Sequence, residues 1–260
     1  QAGENYTLGL SAEQSQFVRL NHARVRQAGE VSQASAHLRL IHAGRQAEQQ
    51  LTLSGDRHLD RQRLLDALSQ LRQILPLQAA DPYLSLDDSA WRSDSQQTQA
   101  LPDLNEVLAL LEQEAGDLDL VGIYAAGPIW RGFASSFGAF GWHQANSFNI
   151  DWSLFHESGQ AVKANYAGQI WRADDFTARL RQARAQLGHL GRAPVVLQPG
   201  SYRAYLAPAA MDEIAGMLCW GGFSAQALAT GSSALQRLYS GDATLSPLIS
   251  FTEQVSGSLS

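Results

Sequence analysis

Apolar and polar residues alternate through much of residues 6–54. Ala34, Ala36, Leu38 and Leu40 fall on one side of that alternation, and Ser35, His37 and Arg39 on the other. A period of two with one wet face is the pattern of an antiparallel sheet. The period lengthens over 60–75, where Leu64, Leu68, Leu71 and Leu75 make a helical stripe with Pro76 just beyond it. Sheet followed by helix, without strand–helix–strand alternation, predicts an α+β fold class. Residues 77–102 lose periodicity and gain Asp87, Asp88, Ser93, Ser95, Gln96, Gln97 and Gln99, which reads as a linker with some attached structure. Asp103, three residues before Glu106, then opens a helix with Leu104, Val107, Leu108 and Leu111 on its apolar face and Gly116 at its end. A buried strand over 118–126 leads into a glycine- and aromatic-rich stretch to residue 171, best read as a run of hairpins. Residues 174–187 are helical again, with Phe176, Leu180, Ala183 and Leu187 on one side and Gly188 as the stop. Tyr202 to Leu206 then suggests a short strand feeding a helix from Pro208, with Met211, Ile214, Ala215 and Leu218 on one stripe and Gly221 and Gly222 ending it. The expected organisation is an N-terminal α+β domain at 1–76, a linker at 77–102, and the first part of a β-rich domain at 103–260.

With 260 residues and 45% hydrophobic content, the chain is long enough to bury a proper core. Nineteen basic against twenty-five acidic residues give a net charge of −6, so no overall basic field invites nucleic acid. Lys163 is the only lysine. Cys219 is the only cysteine, which rules out an intrachain disulfide and suits a reducing compartment; a cytoplasmic location is expected. No run of eighteen apolar residues occurs, so no membrane partner is expected.

Candidate chemistry is sparse. His156-Glu157 is the one His-Glu pair, but a metal-binding helix would need a second histidine at 160 or 161, where Gln160 and Ala161 stand. Gly132, Gly138 and Gly141 flank Ser135-Ser136 without the Gly-Lys-Ser/Thr of a phosphate loop, and no Gly-x-Ser-x-Gly elbow occurs. His37 and His42, five apart on a strand pattern, point to opposite faces. Cys219 could act as a nucleophile beside His143 or His189, but next to Trp220 on an apolar helix it reads as a packed thiol. The aromatic run of Trp130, Phe133, Phe137, Phe140, Trp142, Phe148, Trp152, Phe155 and Tyr166 is either the core of a β-rich domain or the lining of a peptide cleft.

Several local motifs occur in a telling order: Phe17-Val18-Arg19-Leu20-Asn21 with Arg24 to Gly29, Val121-Gly122-Ile123-Tyr124 through Gly132-Phe133-Ala134, Leu206-Ala207-Pro208 before the helix, Gly231-Ser232-Ser233, and Leu245-Ser246-Pro247. In this order and spacing the chain resembles the TldD/PmbA family, the peptidase-related proteins once called modulators of DNA gyrase. In the TldD half of that family the corresponding helix carries His-Glu-x-x-x-His, two imidazoles for zinc and a carboxylate to take a proton from the bound water. Those positions fall here on Gly216, Met217 and Gly221, none of which can hold a metal or move a proton. The chain therefore resembles the PmbA (TldE) type.

The resemblance implies a curved, β-rich second domain that is cut short at residue 260, leaving a sheet edge near the C-terminus. It also implies a role as a non-catalytic subunit, paired with a zinc-bearing TldD-like chain in a complex acting on unfolded or modified peptides. Zinc is then expected only in that partner, and no catalytic, cofactor-binding or metal-binding residue is assigned in this chain. The alternative is a stand-alone, self-associating (homodimeric) peptide-binding or regulatory protein.

Overall fold

A computed structural model describes residues 3–252. They divide into two compact units, residues up to Pro194 and residues from Val195 on. The first contains β1 (Asn5–Asn21), β2 (Arg24–His42), β3 (Arg45–Thr52), α1 (Arg57–Ile74), β4 (Arg92–Gln97), α2 (Leu104–Ala115), β5 (Asp119–Ser135), β6 (Phe140–Phe155), β7 (Ala161–Gly168) and α3 (Ala173–Leu190). The second contains α4 (Pro208–Cys219) and the short α5 (Ala225–Ala229) and α6 (Gln236–Tyr239). The fold class is α+β, as the alternation predicts.

One sheet runs in the order β3-β2-β1-β5-β6-β4, and β7 also pairs with β6. Every pairing is antiparallel except β4 on β6. Four of the strands are 16 to 19 residues long, well beyond the usual length of about five or six, so each end of the sheet can carry its own helical cover. At one end Leu38 and Leu40 of β2 bury against Ala67 and Leu71 of α1. At the other, Val18 and Leu20 of β1, Leu120 and Tyr124 of β5 and Phe148, Ile150, Trp152 and Leu154 of β6 bury against Val107 and Leu111 of α2 and Phe176 and Leu180 of α3. Leu8, packed at the first end, shares its parity on β1 with Val18 and Leu20, so both helical layers lie on one face. The stripes read from the sequence on α1, α2 and α3 are the ones that pack.

Two tight hairpins set the register. His22 and Ala23 both take positive φ (49° and 55°) in the two-residue turn between β1 and β2, the geometry that matches strand twist. Ala23 is buried and its N–H donates to the Leu120 carbonyl at 3.0 Å, which ties the hairpin tip to the start of β5. Arg19 pairs with Gln27 but Leu20 with Val25, leaving Arg26 as the extra residue of a bulge. Pairing of β1 with β5 is interrupted opposite Gln14 and Ser15, where Gly127 and Pro128 stand, while β5 continues to pair with β6. Proline brings no N–H to the ladder.

Several expectations need adjusting. Segment 77–102 is attached to the first unit: Asp81 N–H donates to Gly44 O at 2.8 Å and β4 extends the sheet. The sheet shows no break at residues 76 or 103, because β5 pairs directly with β1. Helix α3 runs past Gly188 to Leu190 and is capped at Gly191. The strand expected at 202–206 does not form, and Tyr205 is exposed. No strand occurs among the described residues from 195 to 252, so the sheet edge expected near the C-terminus is not found among them, and residues 253–260 lie outside the described residues.

Candidate functional site

Helix α4 starts as its sequence directs, with Pro208 in the first turn and Gly221 at φ 73° just past its end. None of its residues is buried: Ile214, Ala215 and Leu218 are half-buried, and Met217 is exposed. Gly216 has open space where a Cβ would stand. The three positions that the resemblance aligns with a zinc motif therefore present hydrogen atoms and a thioether. Cys219 is exposed, not packed, because the apolar stripe of α4 finds little cover. It belongs to a different compact unit from His143 and His189.

The other polar candidates resolve as local structure. His156 and Glu157 lie in the turn between β6 and β7, where Gly159 takes φ 81° and His156 Nδ1 is 2.9 Å from Ser158 Oγ. Gly138 (φ 93°) serves the β5–β6 turn, and Ser135 Oγ accepts from the N–H groups of Phe137 and Ala139. His37 Nε2 is 3.3 Å from Glu48, and His42 Nδ1 is 2.8 Å from Gly3 O. Among the described residues no three His, Cys, Asp or Glu side chains gather closely enough to share a metal ion.

The aromatic run separates into two sets. Phe148, Trp152 and Tyr166 pack with Trp171 and Phe176 at centroid distances of 5.0 to 6.2 Å, forming the core under α3. At the far end of the same strands Phe133 stacks on Trp91 at 5.9 Å, and the Arg92 guanidinium lies 4.6 Å from the centre of the Phe140 ring. This second set stays partly exposed.

A concavity that no motif signalled lies on the wet face beneath the α2–α3 end of the sheet. It holds about 510 Å³ and is lined by Arg19, Arg26, Val121, Ile123, Asp151 and Lys163, among others. The strand register assembles it: Arg19, Ile123, Asp151 and Asn165 lie side by side on β1, β5, β6 and β7, and Val121, Ser153 and Lys163 form the neighbouring row. The bulge adds Arg26 beside Gln27 on the rim. Val121 and Ile123, each 38% exposed, form an apolar floor. Asp151 accepts from Asn149 Nδ2 at 2.7 Å. Arg19, Arg26 and Lys163 enter no ion pair among the described residues.

Next to the concavity runs an open strand edge. Strand β3 covers β2 only from Ser35 to His42, and Leu53 N–H caps Ala34 O. Residues 24–33 of β2 have no strand on their outer side among the described residues.

No known family pattern matches the sequence, and no curated protein does. Solved structures do share its architecture. TldE from Thermococcus kodakarensis aligns with a TM-score of 0.56 at 14% identity, over 89% of this chain and 54% of that one. Two candidate modulators of DNA gyrase align more loosely: one from Thermotoga maritima (TM-score 0.44, 8% identity, 70% of this chain and 44% of that one) and one from Bacteroides thetaiotaomicron (0.43, 15%, 71% and 46%). The chain thus spans about half the length of the solved structures it matches. Over most of its length the chain shares the fold of the matching half of TldE, in line with the sequence resemblance.

Proposed function

We propose that this chain, with its TldE-like fold, is a PmbA/TldE-like subunit that pairs with a zinc-bearing TldD-like chain, the complex acting on unfolded or modified peptides in the cytoplasm. The observation that carries this reading is the combination of that fold with Gly216, Met217 and Gly221 where the family's catalytic half has its metal ligands and base. The partner contributes zinc and the proton acceptor; this chain contributes enclosure and contacts to the peptide. The open edge of β2 supports the second role, since an extended peptide can hydrogen-bond to unpaired strand N–H and C=O groups without regard to its sequence.

The same open edge favours one other reading, a chain that associates with a second copy of itself by continuing the sheet and has no peptidase partner. Purification of a tagged form from its native cells separates the two. The subunit reading expects a chain bearing His-Glu-x-x-x-His to emerge with it in equal amount. Recovery of this chain alone, or only with itself, would sink that reading.

A further inference from the structure

We infer that the concavity at the α2–α3 end of the sheet is a subsite for an acidic segment of an extended peptide, an apolar side chain flanked on either side by carboxylates. The inference rests on the peptide-binding reading above and names what that peptide must carry.

The starting point is a local charge that the rest of the molecule does not answer. The chain is acidic overall, and some of its arginines meet carboxylates, Arg72 with Glu4, Arg181 with Glu114 and Arg184 with Asp117, while others stand singly on the surface; what sets this hollow apart is that three cations line one concavity. Around this hollow Arg19, Arg26 and Lys163 stand without an ion-pair partner among the described residues, and Asp151, its one carboxylate, already accepts from Asn149. Three cations around one carboxylate leave a net positive charge that complements an incoming negative one. The floor between them is not polar but is made of Val121 and Ile123.

Spacing selects the shape of the ligand. Adjacent strands lie about 4.8 Å apart, so Arg19 on β1 stands roughly 5 Å to one side of Ile123, and Lys163 on β7 roughly 10 Å to the other side of Val121. Alternate side chains of an extended peptide fall about 7 Å apart on one face. A Glu-x-Leu-x-Glu segment therefore seats leucine on the floor with a carboxylate reaching each flank. A nucleic acid fits less well: the aromatic residue in the lining, Trp152, is buried in the core and offers no open ring face on which a base could stack.

The test is fluorescence polarisation on the full chain, with labelled Glu-Ser-Leu-Ser-Glu and its Gln-Ser-Leu-Ser-Gln counterpart, both blocked at their ends. Two exposed charge pairs together are expected to favour the acidic peptide by about tenfold at low salt. The preference should shrink in high salt. The double substitution Arg19→Gln and Lys163→Gln, on exposed side chains with circular dichroism as the folding check, should erase that preference and leave the glutamine peptide unchanged. Equal binding of both peptides would overturn the subsite while the peptide-binding reading stands; binding of neither would remove both. Persistence of the preference in the double variant, full competition by free glutarate at the peptide's own affinity, or tighter binding of an oligothymidylate would each overturn the assignment.

Discussion

Phe176→Ala probes how α3 is held on the sheet. The Phe176 side chain is fully buried and sits among Trp171, Trp152 and Tyr166 at centroid distances of 5.0, 5.6 and 6.2 Å. Truncating a buried phenylalanine costs about 3–5 kcal/mol through lost transfer free energy and the cavity left behind. Aromatic pairs add about 0.5–1.5 kcal/mol beyond their buried area, which places this site toward the upper end of the range. That is a large share of a typical domain stability of about 5–15 kcal/mol. The assay is urea unfolding followed by far-ultraviolet circular dichroism, because the emission of Trp152 and Trp171 would itself respond to the missing ring. Leu65→Ala on the exposed side of α1, where Leu65 is 46% accessible, is the control and should shift stability by less than about 1 kcal/mol. A loss of under about 1 kcal/mol for Phe176→Ala would refute the packing of α3 against β6 and β7.

Three further outcomes are expected. Gly127→Ala should destabilise by about 3 kcal/mol in the same assay, since a Cβ there would stand 1.9 Å from Gln14 O and force β1 and β5 apart; a neutral change would mean the strands do not approach as described. Cys219 should react with one equivalent of a thiol reagent in the native protein without denaturant, and protection until unfolding would contradict its exposure. Glu114 receives two hydrogen bonds from Arg181, which hold its carboxyl below the ordinary value of 4.5. The stability it contributes is therefore fully present above about pH 4.5 and is lost as pH falls through the lower folded value; Glu114→Gln should flatten that part of the acid profile, and an unchanged profile would count against the Glu114–Arg181 clamp between α2 and α3.

What the sequence revealed and what it hid follow one physical division. The stripes of α1, α2 and α3 were legible because a 3.6-residue period survives only where one side of a helix is buried, and Val107, Leu111, Phe176 and Leu180 are buried. Gly188 misled because a glycine is tolerated within a helix whose neighbours pack, and Leu187 beside it does. Tyr202 to Leu206 has strand-like composition, but a strand needs a partner, and the described residues from 195 on contain no strand. Strand β4, Arg-Ser-Asp-Ser-Gln-Gln, escaped notice for the opposite reason: at a sheet edge with little burial, backbone pairing with β6 holds it without an apolar alternation. The concavity was illegible because Arg19, Ile123, Asp151 and Lys163 become neighbours only through the register of four strands, which no local pattern specifies.

The central claim, that this chain assists a catalytic site it does not itself carry, is tested most directly by peptidase turnover on an unfolded peptide in three samples: this chain alone, the zinc-bearing chain recovered with it, and the two mixed. The account predicts no turnover from this chain alone, and turnover in the mixture that saturates at one-to-one and disappears with a chelator. Chelator-sensitive cleavage by this chain by itself would contradict it.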